Sequence, residues 1–182
     1  MQFADFNEAL LGSCHLPGIF PIFSDLGKGE GQMTVSSSKG FLEIRFEWIA
    51  GSMPPPHHYE YTIEINCEGT GKIIYIPDYE FPTVPVWEEQ FLVGKEGISK
   101  INELIKSHKI LKTKIKKKEN RSIGGSMKYL TIIFEDESIN FPPDMENHEI
   151  IDPVCEVIKG LVPGKIYDTL NEKRHNYIKE KY

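Results

Sequence analysis

The sequence predicts an α+β fold, namely a mainly antiparallel sheet of about six to eight strands with one face covered by about three helices. Apolar and polar side chains alternate strictly in several short segments, and glycine and proline separate these segments. The three longest helical stripes of apolar residues come after residue 95. Alternation of this kind indicates half-buried strands whose apolar face needs a cover, and the late helices can supply it.

The first half of the chain contains the clearest strands. In segment 41–50, apolar side chains alternate with Glu43, Arg45 and Glu47, and segment 59–67 has the same period of two. A turn at 68–71 contains two glycines, which tolerate positive φ, and joins segment 59–67 to a second apolar strand. The further strands that we expect are 33–37, 72–76, 86–93, 110–116, 128–135 and 138–141.

Helical periodicity takes over in the second half. Ile98, Ile101, Leu104 and Ile105 fall on one stripe and predict a helix over 96–107. Two more helices are expected, at 149–161 and at 165–179, with a proline–glycine junction between them. A short helix over 3–12 is also compatible with the pattern.

The length of 182 residues suits one domain spanning 1–182. A weak internal repeat suggests a duplicated unit covering 51–108 and 125–162, because Gly-Ser-Met precedes a predicted strand at 51 and again at 125. Apolar runs are shorter than the roughly 18 residues of a membrane span, and the acidic start is unlike a secretory signal. The odd number of cysteines, without a CxxC pair, fits a reducing compartment, so we expect a cytosolic protein.

The net charge of −6 is unevenly distributed. Residues 106–121, called the lysine strip below, hold eight basic residues and one acidic residue, which leaves −13 for the rest of the chain. An acidic body repels nucleic acid and anionic membranes, so only the strip could bind a polyanion. The strip residues that could contact phosphates are Lys112, Lys114, Lys116, Lys117 and Lys118.

We interpret the strip first as a lysine-lined edge strand, because lysines protect an exposed edge from unwanted pairing. Nucleic-acid binding is the alternative, and the absence of interleaved aromatic residues counts against it.

Outward-facing glutamates on neighbouring strands predict an acidic surface of the sheet. A surface of this charge would suit a basic protein partner, so the leading hypothesis is a cytosolic binding domain without catalysis, with an immunity-like role as one example. The expected binding residues are Glu43, Glu47, Glu60, Glu64, Tyr75, Tyr79 and Trp87.

A histidine–carboxylate group gives the enzyme alternative. His57 and His58 follow three prolines, and Asp78 and Glu80 occupy a loop that would lie at the same end of the sheet. Together they are the best candidates for a metal-dependent or acid–base hydrolase. Two solvated histidines on a loop are the simpler interpretation, and we therefore expect neither a bound metal nor a cofactor.

Overall fold

The part of the chain that the structure describes consists of residues 40–79, 83–118, 125–146 and 148–182 of a computed structural model. These residues belong to one compact unit, 33–182. The predicted helix over 3–12 and the predicted strand over 33–37 lie outside the described residues.

Within the described residues, six strands form a single sheet in which every neighbouring pair is antiparallel. Their order across the sheet is β4-β3-β2-β1-β5-β6, so β1 is an interior strand with β2 on one side and β5 on the other. The predicted α+β class and the antiparallel sheet are confirmed. The strands are β1 (Glu43–Ile49), β2 (Glu60–Asn66), β3 (Thr70–Ile76), β4 (Trp87–Leu92), β5 (Met127–Ile133) and β6 (Ser138–Phe141).

Alternation along the strands gives the sheet two unlike faces. The inner face contributes isoleucines, phenylalanines and one leucine that are almost completely buried, because apolar area removed from water is the main favourable term in folding. The outer face has the remaining positions, most of them polar or charged. The fully buried strand residues are Ile44, Phe46, Ile63, Ile65, Ile73, Leu130, Ile132 and Phe141.

Three helices contribute side chains to this core: α1 (Lys95–Ser107), α2 (Asp152–Leu161) and α3 (Gly164–Lys181). Ile101, Val154 and Leu170 are fully buried in the same cluster as the inner face of the sheet. The predicted helix bounds are therefore correct to within three residues at each end. No helix among the described residues is both long and apolar enough to cross a membrane.

The lysine strip is not the edge strand that its alternation predicts. Ile110–Lys112 forms a short 3₁₀ turn that follows Lys109, whose φ of 53° ends α1 in the left-handed region. Beyond it, only an isolated antiparallel bridge joins Lys117 to Met145. The edges of the described sheet are β4 and β6. Ile110 is 1% exposed, so the turn buries an apolar residue that a strand would have placed on the same side as Lys112 and Lys114.

The two glycines of the predicted turn have different roles. Gly69 is the turn residue with positive φ, 88°, as expected. Gly71 instead lies within β3 opposite Phe91 of β4, and a Cβ at this position would collide with the Phe91 ring. The missing side chain thus makes room for a buried aromatic residue on the neighbouring strand.

We expect Gly71→Ala to lower the free energy of unfolding by about 1–3 kcal/mol, since the new methyl group overfills the contact with Phe91. Urea denaturation followed by circular dichroism measures this. Gly160→Ala is the matched control: this glycine lies within α2 and a Cβ there meets no atom within 4 Å. Alanine in an open helical position should raise stability by about 0.5–1 kcal/mol. Equal effects of the two substitutions would contradict the close contact at Gly71.

Candidate functional site

The outer face of the sheet is the most extensive candidate surface in the described residues. Carboxylates and basic side chains meet here in a row that runs across three strands, with Lys72 opposite Glu64 and Glu64 opposite Arg45. Glu64 lies 2.9 Å from the Lys72 ammonium and 3.8 Å from the Arg45 guanidinium. Its charge is therefore shared between two cations and is poorly available to a partner.

Other carboxylates on this face are less compensated. The Glu47 carboxylate forms an ion pair with the Arg45 guanidinium, with Oε1 2.9 Å from Nε. Glu60 and Glu88 have no ion pair with a described lysine or arginine. Burial, followed by the nearby carboxylate of Glu64, raises the pKa of Glu43 above its ordinary value. The outer face carries five glutamates and two basic residues, so it has a formal excess of three negative charges. The charged residues are Glu43, Glu47, Glu60, Glu64 and Glu88 with Arg45 and Lys72.

At one end of this face, three glutamates and three isoleucines lie beside one another on β1 to β4, with Thr62 between Glu47 and Ile74. Glu60 of β2 has Ile76 on one side and Ile49 on the other. In the next row, Ile74 has Glu88 as its neighbour on β4. All three isoleucines are half-buried. The six residues that we name the checkerboard patch are Glu47, Ile49, Glu60, Ile74, Ile76 and Glu88.

Two shallow depressions lie on the outer face. The smaller, of about 30 Å³, is lined mainly by residues of the checkerboard patch. The larger, of about 210 Å³, includes Glu43, Glu64, Lys72 and Gln90. Neither resembles the cavity of several hundred cubic ångströms that usually encloses a small molecule.

Two of the three expected aromatic members of the acidic face lie on the opposite face of the sheet. Tyr75 pairs with Tyr61 on β2 and with Trp87 on β4, which places all three on the inner, helix-covered face. Tyr75 is 4% exposed, and burial raises its pKa. The prediction that Tyr75 and Trp87 lie beside the outer glutamates is corrected by this register. Tyr79 is 46% exposed and its hydroxyl donates to the Gly51 carbonyl at 3.0 Å.

Tyr75 and Trp87 belong instead to a row of stacked rings. Their ring centroids are 5.9 Å apart, and Tyr59 stacks on Tyr75 at 5.6 Å. Helix α3 covers the row, with the Arg174 guanidinium 4.7 Å above the Tyr59 ring and Tyr177 edge-on to Trp87. The Arg174–Tyr59 contact was not predicted, because no local pattern pairs an arginine with an aromatic residue more than 100 positions away.

The histidine–carboxylate group is only partly assembled. His57 is exposed, as a solvated loop residue should be, but His58 is 1% exposed and stacks on the Tyr79 ring with centroids 3.3 Å apart. The His58 Nε2 atom lies 3.8 Å from a Glu60 carboxylate oxygen, too far for a hydrogen bond, and Nδ1 is buried without a partner. Glu80 lies outside the described residues.

Asp78 binds the end of α3 through hydrogen bonds to its carboxylate. Its carboxylate accepts the Tyr182 hydroxyl at 2.7 Å, the Lys181 ammonium at 3.2 Å and the backbone N–H of Tyr79 at 2.7 Å. Burial alone would raise the pKa of Asp78, but these donors together outweigh it and the pKa falls below its ordinary value. Asp78 therefore acts as an anchor for the helix terminus.

Metal and thiol chemistry find little support in the described residues. No group of three or more His, Cys, Asp or Glu side chains within residues 40–79, 83–118, 125–146 and 148–182 could hold a metal ion. Burial raises the pKa of the Cys155 thiol to about 12, so the nucleophilic thiolate is scarce at neutral pH.

Neither models of known protein families nor curated proteins match the sequence.

We expect Asp78→Asn to lower the free energy of unfolding at pH 7 by about 1–3 kcal/mol, because a buried charged acceptor with three donors is lost. A carboxylate whose pKa is lowered on folding stabilises the protein above its unfolded value, near 3.8, and loses this contribution as pH falls through the folded value. The difference between wild type and variant should therefore shrink below about pH 4.

Urea denaturation at several pH values measures this difference. Asp168→Asn, on the exposed side of α3, is the control and should change stability by less than about 0.5 kcal/mol. A difference for Asp78→Asn that stayed constant from pH 7 to about pH 2 would show that the Asp78 charge does not hold the helix terminus.

Proposed function

We propose that this protein is a cytoplasmic binding domain without catalysis, which recognises a basic protein partner through the outer face of its sheet. The checkerboard patch carries the proposal, since two of its carboxylates, Glu60 and Glu88, have no ion pair with a described lysine or arginine and lie beside half-buried isoleucines. The partner that fits has lysine or arginine interleaved with aliphatic side chains. An immunity-like protein that neutralises a basic target is one form of this function.

Charge complementarity supports a basic partner. Glu60 and Glu88 lack a lysine or arginine ion pair with the described residues, so a partner's cations would not have to displace an internal ion pair. Complementary potentials of this kind mainly increase the association rate and select the partner. Affinity would then come from the three isoleucines, whose remaining apolar area can be removed from water at about 25 cal/mol per Å².

The contacts of the two catalytic candidates Asp78 and His58 also favour a binding function over a hydrolase. Asp78 anchors α3, and His58 is stacked beneath Tyr79, away from solvent. General acid–base catalysis needs a side chain within hydrogen-bond reach of a substrate. Side chains held in these structural contacts are poorly placed for that role.

The charge component can be tested with an eight-residue peptide of alternating lysine and serine, titrated calorimetrically at low salt. We expect Glu47→Gln/Glu60→Gln/Glu88→Gln to weaken binding by about tenfold, which corresponds to about 1.4 kcal/mol. Glu103→Gln/Asp168→Asn/Glu172→Gln removes the same charge from exposed helical positions and should change affinity by less than about twofold.

An equal loss in the two triple variants would mean that the peptide senses only net charge and would contradict a site on the outer face. Absence of measurable heat with the unsubstituted protein, at low salt as well as high, would refute recognition of a basic partner.

The apolar component is separable, because a second peptide can alternate lysine with leucine. We expect it to bind the unsubstituted protein about tenfold more tightly than the lysine–serine peptide. Ile74→Thr/Ile76→Thr keeps both side chains β-branched and should abolish this preference while leaving the lysine–serine affinity unchanged. A preference that survives the double substitution would place the apolar contact elsewhere.

A further inference from the structure

The lysine strip contains seven lysines and no acidic residue over its described part, 106–118. All seven side chains are exposed, and none forms an ion pair with any described residue. Outside the strip, five of the nine described lysines contact a carboxylate within 3.2 Å. These five are Lys72, Lys128, Lys159, Lys173 and Lys181.

The backbone of the strip is held in place even though its side chains are not. The Lys118 N–H donates to the Asp144 carbonyl at 2.7 Å, and the Glu146 N–H donates to the Lys116 carbonyl at the same distance. Lys117 lies between these bonds in the antiparallel bridge to Met145. In extended backbone, positions two apart are separated by about 7 Å, so the strip presents positive charges at short, repeated intervals.

The described residues provide no purely structural reason for the lysines. Protection of an edge strand requires a strand, and the strip contributes none to the described sheet. Seven neighbouring cations without counter-charges repel one another and oppose compact folding. A strip that served only solubility would be more stable with both signs of charge interspersed.

We propose that the lysine strip binds the phosphate backbone of a nucleic acid without reading its sequence. Lysine ammonium groups are compact charges that suit phosphates, and the strip contains no aromatic side chain for base stacking. A membrane surface fits less well, because insertion needs free apolar side chains. Ile110 is buried and Leu111 packs on the core, which leaves Ile115, 41% exposed, as the free apolar residue of this segment.

Fluorescence anisotropy of a labelled duplex of about 30 base pairs, titrated with the full chain at about 50–200 mM salt, tests the proposal. Five phosphate contacts predict a slope of log affinity against log salt of about −4.5 on the duplex. A labelled oligothymidine of similar length distinguishes single-stranded from duplex preference, and either form supports the proposal.

The test variant is Lys112→Gln/Lys114→Gln/Lys116→Gln. It should make the slope shallower by about two to three and weaken binding at about 50 mM salt by about tenfold or more. Lys95→Gln/Lys100→Gln/Lys165→Gln removes the same charge from exposed lysines outside the strip and should stay within about twofold of the unsubstituted protein. Circular dichroism melting verifies that both variants are folded.

The proposal would be overturned by no binding of either nucleic acid at about 50 mM salt, by an equal loss in both variants, or by binding to phosphatidylserine vesicles without binding to nucleic acid. Salt-sensitive self-association that only the strip variant loses would assign the strip to an acidic surface of a second copy and would also overturn it. The peptide titrations on the outer face are independent of these outcomes, so either proposal can fail alone.

Discussion

The register between β1 and its two neighbours is the constraint on which the rest of the structure depends. Phe46 lies opposite Ile63 on one side and Leu130 on the other, and all three are fully buried. A slip by one residue would move every buried side chain of a strand to the outer face, so the core enforces this pairing. The same register decides which glutamates face outward, and the candidate surface is therefore a consequence of how the core is packed.

Helix α3 is held differently from α1 and α2. Its hydrophobic stripe is narrow, with Leu170 as its fully buried residue, and side chains at its far end complete the attachment. Arg174 lies over Tyr59, Lys173 contacts Glu89, and Lys181 contacts Asp78. Charge-assisted and cation–π contacts thus replace part of the apolar burial that usually fixes a helix. They also give a structural role to acidic and aromatic side chains that would otherwise be candidates for a functional site.

The strands and helices of the described sheet and its cover could be predicted from the sequence, because the patterns that indicate them are local. Alternation located β2 to within one residue at each end, and an apolar stripe located α1 equally well. It failed where a signal depends on partners distant in sequence. Lysine alternation over 110–116 imitates a strand, and only the burial of Ile110 in a turn reveals otherwise. The placement of Tyr75 with Trp87, and the burial of His58 under Tyr79, depend on strand register and loop packing that no short window contains.

The division of charge within the chain connects the two proposals. A chain of net charge −6 that carries unpaired lysines at 106–118 could lower its own electrostatic energy by pairing them with its glutamates, as Lys72 does with Glu64. The described strip lysines form no such pairs. At physiological salt, charges separated by more than about 8 Å hardly sense one another, so unpaired groups of opposite sign can bind different partners on one molecule. Segregation of this kind keeps like charges close together and opposes stability, which is why we propose that a partner neutralises each surface.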